Sequence, residues 1–92
     1  MALLTDEEIA TRLDQSGWER SGDEIVREWT FADFAAALAF VNRVGTAAEA
    51  ANHHPDILLH GWNRVCLSLT NHSAGGLTEA DFTLARTVDG LA

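Results

Sequence analysis

Apolar residues recur along the chain with two periods. Helical spacing dominates near the start, in the middle and at the end, and strict alternation fills the stretches between. The helical stretches open on one repeated signal. Leu4-Thr5-Asp6-Glu7-Glu8-Ile9, Trp29-Thr30-Phe31-Ala32-Asp33-Phe34 and Leu77-Thr78-Glu79-Ala80-Asp81-Phe82 each place a threonine at the cap, an acid three residues later and an apolar residue on either side. This is a capping box with a hydrophobic staple. The threonine oxygen takes an orphan backbone N–H, and the acid reaches back to the cap near the positive end of the helix dipole. Helices are therefore predicted to start near residues 6, 31 and 79.

In the second helix, Phe31, Phe34, Leu38, Val41 and Ala48 fall on one stripe at helical spacing, which predicts its buried face. Phe40 and Val44 widen the apolar surface beyond one face and suggest a subunit contact. Pro55 forces His54 out of the helical region, so the helix stops by about Asn52 or His53.

The alternating stretches read as strands. Glu24–Trp29 is β-rich and follows the turn Arg20-Ser21-Gly22-Asp23, and a short strand around Gly17–Arg20 completes a hairpin. In 64–70, Val65, Leu67 and Leu69 share one face, opposite Arg64, Cys66, Ser68 and Thr70. Asp56–His60 pairs with it through Gly61-Trp62-Asn63. The expected order is α-β-β-α-β-β-α. It describes an α+β fold: a four-stranded antiparallel sheet with three helices packed on one face, in a single domain over residues 1–92. The opposite face is left open or paired with a second copy.

Charge narrows the partners. Fourteen acids face six arginines, with no lysine, for a formal net charge of -8. A nucleic-acid or anionic-membrane binder needs a basic footprint, so both are excluded as partners, and polyanionic substrates are disfavoured. The single cysteine, Cys66, rules out an internal disulfide and fits a reducing compartment. No apolar run is long enough to span a membrane, and the N-terminus turns acidic at once, unlike a signal peptide. The expected location is the cytoplasm.

The candidate chemistry lies in the histidines His53, His54, His60 and His72. Histidine titrates near neutral pH and suits general acid–base work. The plain reading of His53-His54-Pro55 is a helix stop with polar residues, and His60 sits alone at a strand end. Three histidines and Asp81 suggest a zinc set, but neighbouring His53 and His54 point apart and no His-x-x-x-His spacing is present, so no metal is expected. Nothing around Cys66 would activate it as a nucleophile.

One spacing changes the weight of these residues. Glu49, three residues, His53-His54-Pro55, six residues, Trp62, nine residues, His72, eight residues and Asp81 follow one another in a fixed pattern. This resembles the signature of the pterin-4a-carbinolamine dehydratases. It covers Glu49 to Asp81 directly, and the element order extends the likeness over nearly the whole chain.

The resemblance implies a reaction: dehydration of 4a-hydroxytetrahydropterin, a by-product of aromatic amino-acid hydroxylases, to quinonoid dihydropterin, without metal or organic cofactor. It implies His53, His54 and His72 as catalytic residues, with His53 and His72 exchanging protons and His54 helping to bind substrate. Pro55 and the backbone of Asn71, His72 and Ser73 would hold the pterin. Asp81 would orient His72 and cap the third helix, Glu49 would contact His53 at i,i+4, and Trp62 would pack beneath the site or turn the hairpin. Family members also act as dimerisation partners of a transcription factor. The expected partners are thus a pterin and a second copy, in a homodimer or homotetramer through the sheet edge or the second helix. A protein-interaction module without physiological catalysis is the alternative.

Overall fold

Thr5 opens the first helix through the expected capping box. In a computed structural model that describes residues 2–92, its Oγ1 accepts from the Glu8 N–H at 3.1 Å, and Glu8 Oε1 accepts from the Thr5 N–H at 2.9 Å. The element order is α1 (Asp6–Leu13), β1 (Glu19–Ser21), β2 (Glu24–Thr30), α2 (Phe34–Ala51), β3 (Asp56–His60), β4 (Arg64–Leu69) and α3 (Glu79–Asp89). This is the expected α-β-β-α-β-β-α arrangement. The strands form one antiparallel sheet in the spatial order β1-β2-β4-β3, so β1 and β3 are its edges. Among the described residues, no helix is long and apolar enough to cross a membrane.

The second helix departs from its predicted start. Asp33, expected as the returning acid of a box capped by Thr30, is itself the N-cap, and its Oδ1 accepts from the Ala36 N–H at 2.7 Å. The ladder explains the shift. Thr30 pairs with Arg64 as the last residue of β2, and Phe31 N–H donates to the Asn63 carbonyl at 2.8 Å, so the chain cannot coil before Asp33. Aspartate caps as well as threonine does. The helix ends at Ala51 as expected, because Asn52 adopts the left-handed conformation (φ 51°, ψ 41°) that asparagine tolerates.

The buried face of α2 is only partly the predicted one: Ala48 is buried and Phe31 and Val41 pack against the core, but Phe34 and Leu38 do not. Ala37, Phe40, Val44 and Ala48 enter the core, with Phe40 and Val44 fully buried, whereas Phe34 and Leu38 are 50% and 42% exposed. Two apolar stripes run along this helix, and periodicity cannot choose between them. The aromatic residues leaving β2 make the choice. Phe40 stacks with Trp29 and with Phe31, each at a centroid distance of 5.0 Å, and Trp18 meets Trp29 edge-on. Phe40 and Val44 are therefore not available for a subunit contact.

Around this cluster, Ile25, Val65, Leu67 and Leu69 from the sheet and Phe82, Leu84, Ala85 and Val88 from α3 complete the core. The alternate sheet positions Cys66, Ser68 and His60 remain half-buried and Leu58 and Arg64 exposed, as expected of an uncovered face. Gly61 and Trp62, both at positive φ (56° and 61°), turn the β3–β4 hairpin. Trp62 is 61% exposed there, at the far end of β3 from His53, and does not pack beneath the histidines.

Candidate active site

The end of α2 and the start of α3 place the first histidine. Asn52 reverses the chain in the left-handed conformation, and the His53 N–H caps the helix by donating to the Ala48 carbonyl at 3.1 Å. The ring of His53 thereby turns toward α3, and its Nε2 lies 2.5 Å from Asp81 Oδ1. Asp81 is fully buried, and its other oxygen, Oδ2, accepts from the Thr78 N–H at 2.8 Å and from Thr78 Oγ1 at 3.3 Å. A buried carboxylate is costly unless its lone pairs are met. Here the capping box of α3, the first-turn dipole and the imidazole meet them together.

Two expected pairings change partners. Asp81 does cap α3, but the histidine that it holds is His53, not His72. Glu49 pairs with His54, not with His53. Both differences follow from the turn at Asn52, which sends His53 inward to α3 and leaves His54 beside the last turn of α2. The His54 side chain is 58% exposed.

The loop after β4 carries the remaining residues. Asn71 bridges to Gly76, its Oδ1 accepts from the Ala74 N–H at 3.0 Å, and Gly75 turns the chain at φ 81°. The loop closes on itself, so His72 and Ser73 are exposed at its tip. Strand register brings this loop to the same end of the sheet as His53 and His54. Asp56, just after Pro55, pairs with Ser68, near the exit of β4.

The two proton-exchange candidates line separate cavities. His53 lies in a groove of about 640 Å³ between α2 and α3, with Ala47, Ala50, Ala51, Glu79, Ala80 and Thr83 among its walls. His72 and Asn71 line a second cavity of about 410 Å³, with Asp23, Glu24, Thr70, Gly75 and Gly76. His54, Pro55 and Ser73 line neither. Asp23 and Glu24, which share the second cavity with His72, do not stand out in the sequence, because nothing local connects them to the histidines.

Charge around the groove is ordered by arginine. Arg12 Nε donates to Glu79 Oε2 at 2.8 Å, and this contact, helped by Arg86, holds the Glu79 carboxyl below the usual carboxylate range. On the uncovered face of the sheet, His60 Nε2 meets Glu28 Oε1 at 2.5 Å, so His60 is not alone at its strand end. Burial, reinforced by the Glu28 charge, pushes the neighbouring Cys66 thiol up. Among the described residues, no group of three His, Cys, Asp or Glu side chains is placed to hold a metal ion.

This fold is that of the pterin dehydratases, and here His53, His54 and His72 lie at one end of the sheet. A solved structure described as a transcriptional coactivator/pterin dehydratase from Brucella melitensis superposes with a TM-score of 0.92 at 33% identity, covering 99% of each chain. A pterin dehydratase-like protein described as a RuBisCO assembly factor in the alpha-carboxysome superposes with a TM-score of 0.66 at 25% identity, covering 82% of this chain and 86% of that one. The chain belongs to the pterin 4 alpha carbinolamine dehydratase family, whose pattern matches residues 2–91. A relative from Thermomicrobium roseum, provisionally named pterin-4-alpha-carbinolamine dehydratase, is 54% identical over 100% of this chain and 99% of its own. One of the same name from Nocardia farcinica is 55% identical over 98% of this chain and 95% of its own.

Proposed function

We propose that the protein is a hydro-lyase that converts 4a-hydroxytetrahydropterin to quinonoid dihydropterin and water, and so supports recycling of a tetrahydropterin cofactor. The observation that carries this reading is the His53 ring held against the buried Asp81 carboxylate, in a chain of this family. The reaction moves two protons. One is delivered to the C4a hydroxyl as the C4a–O bond breaks and water leaves. The N5 lone pair closes the new C4a=N5 bond, and the N5–H proton is lost to a base.

In this reading His53 and His72 serve those two transfers, with the pterin held at the end of the sheet between the α2–α3 groove and the loop after β4. With Nε2 of His53 engaged by Asp81, Nδ1 is the ring nitrogen that exchanges a proton with substrate. His72, exposed and without a carboxylate partner among the described residues, serves the other transfer. His54, Pro55, Asn71 and Ser73 border the substrate. Glu49 steadies His54, and Asp81 acts through His53 as a positioning residue. No metal or organic cofactor is needed, since proton transfer is all that the reaction requires. General acid–base catalysis of this kind is worth about 10²–10⁴-fold. The test is to mix purified protein with freshly prepared 4a-hydroxytetrahydropterin and follow quinonoid product by absorbance. A rate equal to that in buffer refutes the reading.

A second reading, an interaction module, is favoured by a different observation. Phe34 and Leu38 stand exposed one turn apart on α2, and Ile57 and Leu58 are exposed on the edge strand β3. Such surfaces suit a second copy of the chain, in a homodimer or homotetramer. The Brucella neighbour's description as a coactivator points the same way. Light scattering at high concentration tests it, and a strict monomer counts against it. The free thiol of Cys66 supports a cytoplasmic setting for either role.

A further inference from the structure

Three histidines are paired with carboxylates: His53 with Asp81, His54 with Glu49 and His60 with Glu28. Among the described residues, His72 is not. It instead lines the cavity of about 410 Å³ that it shares with Asp23 and Glu24. That volume falls in the range of small-molecule sites, roughly 300–1,000 Å³. Among the described residues, the carboxylates of Asp23 and Glu24 have no hydrogen-bond or ion-pair partner. By contrast, Asp81, Glu49 and Glu79 are engaged by His53, His54 and Arg12.

The cavity is held in shape. Thr70 Oγ1 donates to the Asp23 carbonyl at 2.6 Å, which ties the β1–β2 turn to the exit of β4. Glu24 is half-buried and pairs with Ser21 as the first residue of β2, so its backbone is set by the ladder. Asp23 Oδ1 lies 3.9 Å from where a Cβ on Gly76 would stand, and a Cβ on Gly75 would meet nothing within 4 Å. Gly75 leaves its side of the cavity open, whereas a Cβ on the buried Gly76 would first meet Leu3 Cδ2 at 3.2 Å.

We propose that Glu24, backed by Asp23, is the residue that recognises the pyrimidine edge of the pterin. This inference rests on the dehydratase reading for the identity of the ring. That edge carries two adjacent donors, N3–H and the 2-amino group. A carboxylate matches them with two parallel, charge-assisted hydrogen bonds. The edge lies at the far end of the ring from N5, so a carboxylate gripping it leaves the reacting atoms toward His72. Both acids fall outside the Glu49–Asp81 motif and belong to the turn and first position of a different hairpin.

The experiment is equilibrium binding of 7,8-dihydropterin and of its 2-deamino (2-oxo) counterpart, by calorimetry. The proteins are the wild type, Glu24→Gln and the double variant Asp23→Asn/Glu24→Gln. Glutamine keeps one acceptor and sets a donor against the second N–H. Wild type is expected to prefer the 2-amino ligand. Glu24→Gln is expected to weaken its binding by about tenfold and to shrink that preference, and the double variant to erase it, with unchanged urea midpoints. Wild-type affinity or wild-type preference in the double variant overturns the proposal, as does a wild type that binds neither ligand. Edge preference without accelerated dehydration upholds this inference while the dehydratase reading fails. Accelerated dehydration with unchanged preference in the variants does the reverse.

Discussion

His53 and Asp81, 28 residues apart in the chain, meet at 2.5 Å where the end of α2 crosses the start of α3. The same carboxylate closes the capping box of α3 through Thr78. One buried group thus serves the fold and, in the proposed reaction, the orientation of an imidazole. Asp81→Asn is expected to lower the dehydration rate by at least about tenfold, since the amide can present its N–H₂ to Nε2 and reverse the ring's hydrogen-bond polarity. It is also expected to cost about 1–2 kcal/mol of stability, the usual worth of a helix cap. Steady-state rates and urea denaturation on the same preparation separate the two effects.

His53 and His54 are neighbours in sequence but not in environment. The His53 side chain is 15% exposed against a buried acid, while His54 lies at the surface beside Glu49. His54→Ala is expected to change stability by no more than about 0.5 kcal/mol, as surface substitutions do. His53→Ala leaves Asp81 Oδ1 buried without its partner and is expected to cost about 1–3 kcal/mol. Equal losses for the two variants in urea would contradict the assignment.

The choice of face on α2 is open to direct measurement. Phe40 is fully buried and Phe34 half exposed. Phe40→Ala is expected to cost about 3–5 kcal/mol, whereas Phe34→Ala falls near the surface range. If Phe34 and Leu38 form a subunit contact, Leu38→Glu dissociates the oligomer in light scattering while the protomer remains folded by circular dichroism.

Acid stability follows from two lowered carboxyls. Thr5 lowers Glu8 through backbone and side-chain hydrogen bonds, and Arg12 lowers Glu79. A carboxyl whose folded pKa lies below its unfolded value, about 4.3 for glutamate, contributes stability above that value. The contribution is lost as pH falls through the folded pKa. The urea midpoint is therefore expected to fall steadily from about pH 5 downward, and Glu79→Gln to flatten part of that slope. Both residues are largely exposed, so the effect is small and weakens further in high salt.

Cys66 behaves in the opposite sense. Its thiol is raised by burial and by Glu28. The folded protein disfavours the thiolate, so stability is expected to decline once pH exceeds the ordinary thiol pKa, about 8.5. Alkylation by iodoacetamide at pH 8 is expected to be slower in the folded protein than in urea.

Much of this arrangement was legible in the sequence, and the exceptions share a cause. β3 spans Asp56–His60 as its pattern predicts, because a proline before it and a glycine turn after it act locally. The boxes at Thr5 and Thr78 are likewise local and form as read. The box at Thr30 fails because strand pairing with Arg64 claims that residue. The face of α2 was ambiguous because the stacking of Trp29 and Phe31 on Phe40, which decides it, is a tertiary contact. The candidate site divides in the same way. His53, His54, His72 and Asp81 stand out because their spacing resembles the family signature, but which acid holds which ring depends on the turn at Asn52. Asp23 and Glu24 reach His72 only through the sheet.

The most direct test of the account is the rate of quinonoid dihydropterin formation from fresh 4a-hydroxytetrahydropterin by wild type and by His53→Ala/His72→Ala, with folding of both verified by circular dichroism. The account predicts acceleration by the wild type, of the order of 10²–10⁴-fold over buffer from acid–base catalysis, and a double variant reduced to near the buffer rate. A double variant that retains the wild-type rate would contradict it.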